Sequence, residues 1–182
     1  KPLIITWLEI WNDAWKKLGI FGYIGNLIEK MSFRLTDKNI AISDTIKNKS
    51  IIIPVGIDLM KISKVKALKN EFDILFVGRL IKEKNVELLI RAVNKKLKIL
   101  IICHGPEKEH LINLANKLKL KGIKFIDFLD DDKEVYSYMK SSKIFILPSI
   151  REGFGTVILE ALACGCKVIT TNHKNNNAKY LV

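Results

Sequence analysis

Phe72-Asp73-Ile74-Leu75-Phe76-Val77 is a short apolar run broken only by Asp73, and Lys98-Ile99-Leu100-Ile101-Ile102-Cys103 is a second. Each has the length and composition of a buried strand. Between them, 86–95 carries a helical pattern, and the alternation continues to the end of the chain. Further strand runs lie at 123–126, 143–147 and 167–171, with helical stretches at 107–119, 133–141 and 156–164. Within 107–119, Leu111, Leu114, Ala115 and Leu118 recur at three- and four-residue steps and make one apolar stripe. Strands and helices alternating at this spacing imply parallel strands joined by crossover helices, hence an α/β, doubly wound parallel sheet.

Working back from residue 72, the pattern changes. A strand is expected over 3–6, helices over 10–18 and 24–35, and short strands over 39–43 and 51–54. The lysine-rich stretch 59–70 reads as an interdomain linker, so the chain divides into 1–58, this linker, and the α/β region 71–182. It begins at Lys1 and ends at Leu181-Val182, soon after a strand-like run and with no evident closing element. The expectation is a piece of a longer protein, shortened at both ends. Apart from Asn175-Asn176-Asn177 no low-complexity tract stands out.

A hydrophobic content of 48% is ample for a core, and 27% charged residues is ordinary for a soluble protein. The net charge of +12 admits nucleic acid, anionic membrane or phosphorylated small molecules as partners. The lysines are spread along the chain, and Ile and Asn are also frequent, so compositional drift competes with a selected electrostatic role. No basic arm and no aromatic-plus-basic signature points to nucleic acid. Cys103, Cys164 and Cys166 supply neither an even disulfide framework nor a four-ligand metal site. They read as buried, reduced thiols of a cytosolic protein. No apolar run reaches the ~18 residues that cross a bilayer. Trp7, Trp11 and Trp15 recur at four-residue steps beside Lys16 and Lys17. Packing is the favoured reading, and an interfacial belt for a lipid-linked acceptor is the other.

Ligands of open parallel sheets bind beyond the carboxyl ends of the strands. The loop after the first α/β strand, Gly78 to Asn85, lacks dinucleotide and P-loop glycine patterns but offers Arg79 and Lys84 as a diphosphate clamp. As solvated loop cations they would mean nothing. The fourth strand runs into Pro148-Ser149, then Glu152-Gly153-Phe154-Gly155-Thr156, then a helix. Glycines there allow close backbone approach, and the helix start offers unpaired N–H groups to an anion. Glu152 and Glu160, on either side of such a site, are suited to accept bonds from sugar or ribose hydroxyls. The plainer alternatives are a surface Glu152 and a Glu160 that complements the helix dipole.

Glu152 and Glu160, with seven residues between them, resemble the signature of the family-4 retaining glycosyltransferases (glycosyl transferases group 1) of the GT-B fold. Gly78-Arg79-Leu80 with Lys84, Gly105-Pro106-Glu107 and Leu147-Pro148-Ser149 resemble further family motifs in the same order. Pro54-Val55-Gly56-Ile57-Asp58 is similar to the approach to the donor domain, and Ile4-Ile5-Thr6 with Glu9 to a late acceptor-domain strand and loop. The resemblance implies the tail of an acceptor domain over 1–58 and a Rossmann-like donor domain over 71–182. It implies that Arg79 and Lys84 neutralise the donor diphosphate, with the backbone of Gly78, Gly153, Phe154, Gly155 and Thr156 around the donor. Glu152 would hold the donor sugar and Glu160 the ribose. No metal and no cofactor is implied; the substrate is a nucleoside-diphosphate sugar, UDP- or GDP-linked, and the acceptor a glycan or lipid-linked glycan. The location implied is the cytoplasm, at the inner face of the cell membrane. Departures are Trp7 at a position often His, Cys103-His104 where a glycine heads the Gly-x-Gly-Pro loop, and Lys167 for a common proline. A nucleotide-sugar-binding module without turnover, and a sugar-nucleotide epimerase of related fold, are the competing functions.

Overall fold

A computed structural model of the chain describes residues 3–11, 15–36, 38–43, 50–69 and 71–182, which form two units, Lys1–Gly56 and Ile57–Val182. In the first unit, β1 (Ile4–Trp7), β2 (Lys38–Ala41) and β3 (Ser50–Ile52) form a parallel sheet in that order. Helix α1 spans Gly19–Ser32, starting earlier than 24–35 predicted and following a single 3-10 turn, Lys16–Leu18. Residues 12–14 of the helix expected over 10–18 lie outside the described residues. At Gly22, inside this earlier first turn, a Cβ would lie 1.8 Å from the Trp15 carbonyl oxygen, so only glycine lets the helix pass Trp15.

The tryptophans behave as packing residues. Trp7 stacks on Phe33 with ring centroids 3.8 Å apart and donates to Asn39 Oδ1 at 2.9 Å. Trp15 donates from Nε1 to Glu29 Oε2 at 2.7 Å. Trp11 is partly exposed and lies 5.1 Å from the Trp15 ring.

The second unit opens where a linker was expected. Leu59–Ser63 forms helix α2, with Asp58 accepting from the Lys61 amide at 2.8 Å as its N-cap. Ile62 is 2% exposed within the core, so this part of 59–70 is integral to the second unit. A five-residue helix with one buried side chain shows no periodicity to read. Five parallel strands follow, β4 (Phe72–Arg79), β5 (Ile99–His104), β6 (Ile123–Ile126), β7 (Ser142–Leu147) and β9 (Lys167–Thr170), in the order β6-β5-β4-β7-β9. Helices α3 (Val86–Ala92), α4 (Lys108–Lys117), α5 (Asp132–Lys140) and α6 (Thr156–Ala163) supply the crossovers. Leu75, Phe76, Leu100, Ile101, Phe145 and Leu147 are fully buried, the near-continuous apolar pattern of a sheet covered on both faces, and Ile158 of α6 is fully buried with them. Strand order reverses direction on either side of β4, which makes the crevice between the ends of β4 and β7 the topological switch point.

Beyond β9 the described chain continues into ordered structure. Strand β10 (Asn175–Asn176) pairs in parallel with β8 (Arg151–Glu152), and a 3-10 turn, Asn177–Leu181, follows. Asn176 is fully buried and its amide donates to Thr170 Oγ1 at 2.9 Å and the Thr171 carbonyl at 2.8 Å. The asparagine run is therefore a structural network, not a compositional tract. Asn176→Ala is expected to lower unfolding free energy by about 1–3 kcal/mol in denaturant titration. Exposed Asn175→Ala should stay within about 0.5 kcal/mol of the parent, and equal effects would contradict the network.

Candidate functional site

Three loops meet at the carboxyl end of the sheet because backbone hydrogen bonds join them. The Leu80 amide donates to the His104 carbonyl at 2.7 Å, and the Glu107 amide donates to Leu80 at 3.1 Å. Gly105 makes that approach feasible, since a Cβ there would lie 2.5 Å from the Leu80 carbonyl oxygen. The Ile150 amide donates to the Glu83 carbonyl at 2.9 Å, which joins the loop after β4 to the loop after β7.

The join brings two of the predicted residues into contact. Lys84 ends a 3-10 turn, Lys82–Lys84, and its Nζ lies 2.5 Å from Glu152 Oε2. The two side chains are only 17% and 16% exposed, so the pair is sheltered from bulk screening. Ser149, fully buried, adds a long 3.4 Å contact from its hydroxyl to the same oxygen. Arg79 caps β4 as an exposed side chain with no ion pair among the described residues.

Beyond Glu152 the chain turns sharply into α6. Gly155 takes left-handed angles, φ 87° and ψ 48°, and no side chain caps the helix start. The first-turn N–H groups near Thr156 are therefore open to an anion. Phe154 is buried, while Gly153 and Thr156 are half-buried. Asn177 donates to the Gly153 carbonyl at 3.2 Å and steadies this loop from outside.

Glu160 stands apart from the Lys84–Glu152 pair. It lies on the second turn of α6 and accepts a hydrogen bond from the Tyr136 phenol of α5 at 3.1 Å. Burial pushes its carboxyl above the usual range, opposed by the Tyr136 hydrogen bond and by Lys61. On the neighbouring loops the His104 ring meets Phe128 edge-on at 5.3 Å, and Phe128 is 58% exposed. The sequence marked out the Cys103-His104 loop but not Phe128; nor did it assign a role to Tyr136, Asn176 or Asn177, which no motif distinguishes.

Among the described residues no helix is long and apolar enough to cross a membrane. Residues 60–181 match the family model described as glycosyl transferases group 1. The chain is 36% identical over 165 residues to a Campylobacter jejuni transferase named N-acetylgalactosamine-N,N'-diacetylbacillosaminyl-diphospho-undecaprenol 4-alpha-N-acetylgalactosaminyltransferase. That match covers 84% of this chain and 44% of the relative, so the chain spans less than half of the relative's length. It is also 41% identical over 98 residues to the Escherichia coli O-antigen biosynthesis glycosyltransferase WclY, covering 52% of this chain and 27% of that protein. Sucrose-phosphate synthase from Thermosynechococcus elongatus superposes over 98% of this chain and 52% of its own, with TM-score 0.79 at 18% identity. The lipopolysaccharide glycosyltransferase WaaG superposes over 79% of this chain and 46% of its own, with TM-score 0.63 at 19% identity. These structural likenesses are to GT-B glycosyltransferases with Rossmann-like domains. With its parallel sheet, its clustered motif residues and these matches, the chain belongs to the glycosyl transferases group 1 family.

Proposed function

We propose that the second unit binds the donor of a retaining glycosyltransferase, which moves a sugar from a nucleoside diphosphate to a glycan or lipid-linked acceptor. The observation that carries this reading is the sheltered Lys84–Glu152 pair at the switch point, beside a helix start with no side-chain cap. When the glycosidic bond to the donor breaks, negative charge gathers on the departing diphosphate. Lys84, Arg79 and the first-turn amides of α6 form one positive surface for it, a stabilisation that needs no metal. Glu152, released from Lys84 as phosphate oxygens take over the ammonium group, is free to accept sugar hydroxyls. Glu160 accepts a ribose hydroxyl. The named activity of the Campylobacter relative supports a lipid-linked acceptor. On this reading the enzyme works in the cytoplasm at the inner face of the cell membrane.

Calorimetry with UDP and GDP tests the donor site directly. Binding of either is expected, weakened about tenfold or more by Arg79→Ala, since a charge-assisted contact contributes about 1.5–3 kcal/mol. Unchanged binding in that variant would remove Arg79 from the site. A second reading follows from the match to only 44% of the relative: these 182 residues bind nucleotide sugar without turnover. Nucleotide binding by the chain with no product in a transfer assay would select it.

A further inference from the structure

We infer that Tyr136 is a positioning residue for the nucleotide, holding the Glu160 carboxylate in the orientation and charge state that accepts a ribose hydroxyl. The inference rests on the reading of Glu160 as the ribose ligand. Tyr136 is 5% exposed, and its hydroxyl reaches Glu160 Oε1 at 3.1 Å. A phenol at this depth must place its proton on an acceptor, and a phenylalanine would fill the same space without that demand. Among the described residues Tyr136 is the one donor to the Glu160 carboxylate, and it engages Oε1, which leaves Oε2 for a ligand. Anchoring one oxygen restricts rotation of the carboxylate, so less side-chain entropy is lost when a hydroxyl binds the other.

The charges around Glu160 make the phenol matter. Burial raises its carboxyl, Asp132 on α5 raises it further, and Lys61 on α2 lowers it, while Cys164 of the same helix end lies close enough to sense it. The Tyr136 hydrogen bond favours the ionised form. A protonated Glu160 would present O–H to a hydroxyl and lose much of its acceptor capacity. Without the phenolic proton the carboxyl titrates at higher pH. Affinity that depends on the carboxylate is full above that point and falls as pH drops through it, so the loss begins earlier on acidification.

The test is calorimetric titration of UDP and GDP from about pH 5 to 8 with the parent, Tyr136→Phe, Glu160→Gln and the double variant. Tyr136→Phe is expected to weaken binding about 5- to 10-fold near neutrality and to move the acid-side loss of affinity to higher pH. In the Glu160→Gln background the same change should alter affinity less than about 2-fold. The affinity ratio of UDP to 2′-deoxy-UDP, insensitive to any unfolded fraction, should fall in Tyr136→Phe. Parent-like affinity, pH profile and ratio in Tyr136→Phe, or full additivity in the double variant, would overturn the inference. If Glu160→Gln binds like the parent, or the parent binds neither nucleotide, the reading of Glu160 itself fails and the inference falls with it.

Discussion

Replacing Lys84 with alanine is expected to lower kcat/KM for transfer from a nucleotide sugar about 100- to 1000-fold, the usual cost of deleting a charge-stabilising donor. Two effects are mixed in that number. One is loss of a cation beside the leaving diphosphate. The other is structural, because Glu152, only 16% exposed, would be left without its 2.5 Å partner. Stranding a sheltered carboxylate costs about 1–3 kcal/mol of folding stability. The paired change Lys84→Met with Glu152→Gln separates them. It removes both charges, so stability should return to near the parent in a denaturant titration. Transfer should remain at the level of the worse single variant, since neither charge is there to act. Recovery of transfer in the paired variant would make Lys84 a structural partner and nothing more.

Gly155→Ala should lower unfolding free energy by about 2–5 kcal/mol. The αL angles cost an L side chain about 1–2 kcal/mol. A Cβ would also lie 2.6 Å from the Ala178 Cβ, an overlap that adds about 1–3 kcal/mol. Gly165 is the natural control: its φ of 86° matches the 87° of Gly155, but a Cβ there meets nothing within 4 Å. Gly165→Ala should therefore show the backbone cost alone. Equal losses at the two positions in thermal or chemical unfolding would mean that the tail does not press against the loop.

The five strands of the second unit were legible because a buried parallel sheet writes itself as near-continuous apolar runs. Their ends were less so. Strand β4 continues two residues past the last apolar position, since Gly78 and Arg79 pair with Cys103 and His104. The candidate residues were legible through motif order, but their grouping was not. The Lys84–Glu152 contact joins positions 68 apart, and the Tyr136–Glu160 contact joins neighbouring helices. Neither leaves a period in the sequence. Composition misled at Asn176, whose amide is buried, and at α2, where the lysine-rich stretch 59–70 hides the helix's one buried residue, Ile62.

Strand β10 has a consequence for the speed of recognition. The glycine turn before α6 is walled by Ala178, tied through Asn177 to Gly153, and paired through Asn175 and Asn176 to Arg151 and Glu152. A turn held on that many sides has little disorder to lose. Donor encounter at this wall should therefore proceed without a folding step, at a rate set by diffusion and the positive field of the site. Stopped-flow association would then rise linearly with nucleotide concentration, with no plateau from loop closure.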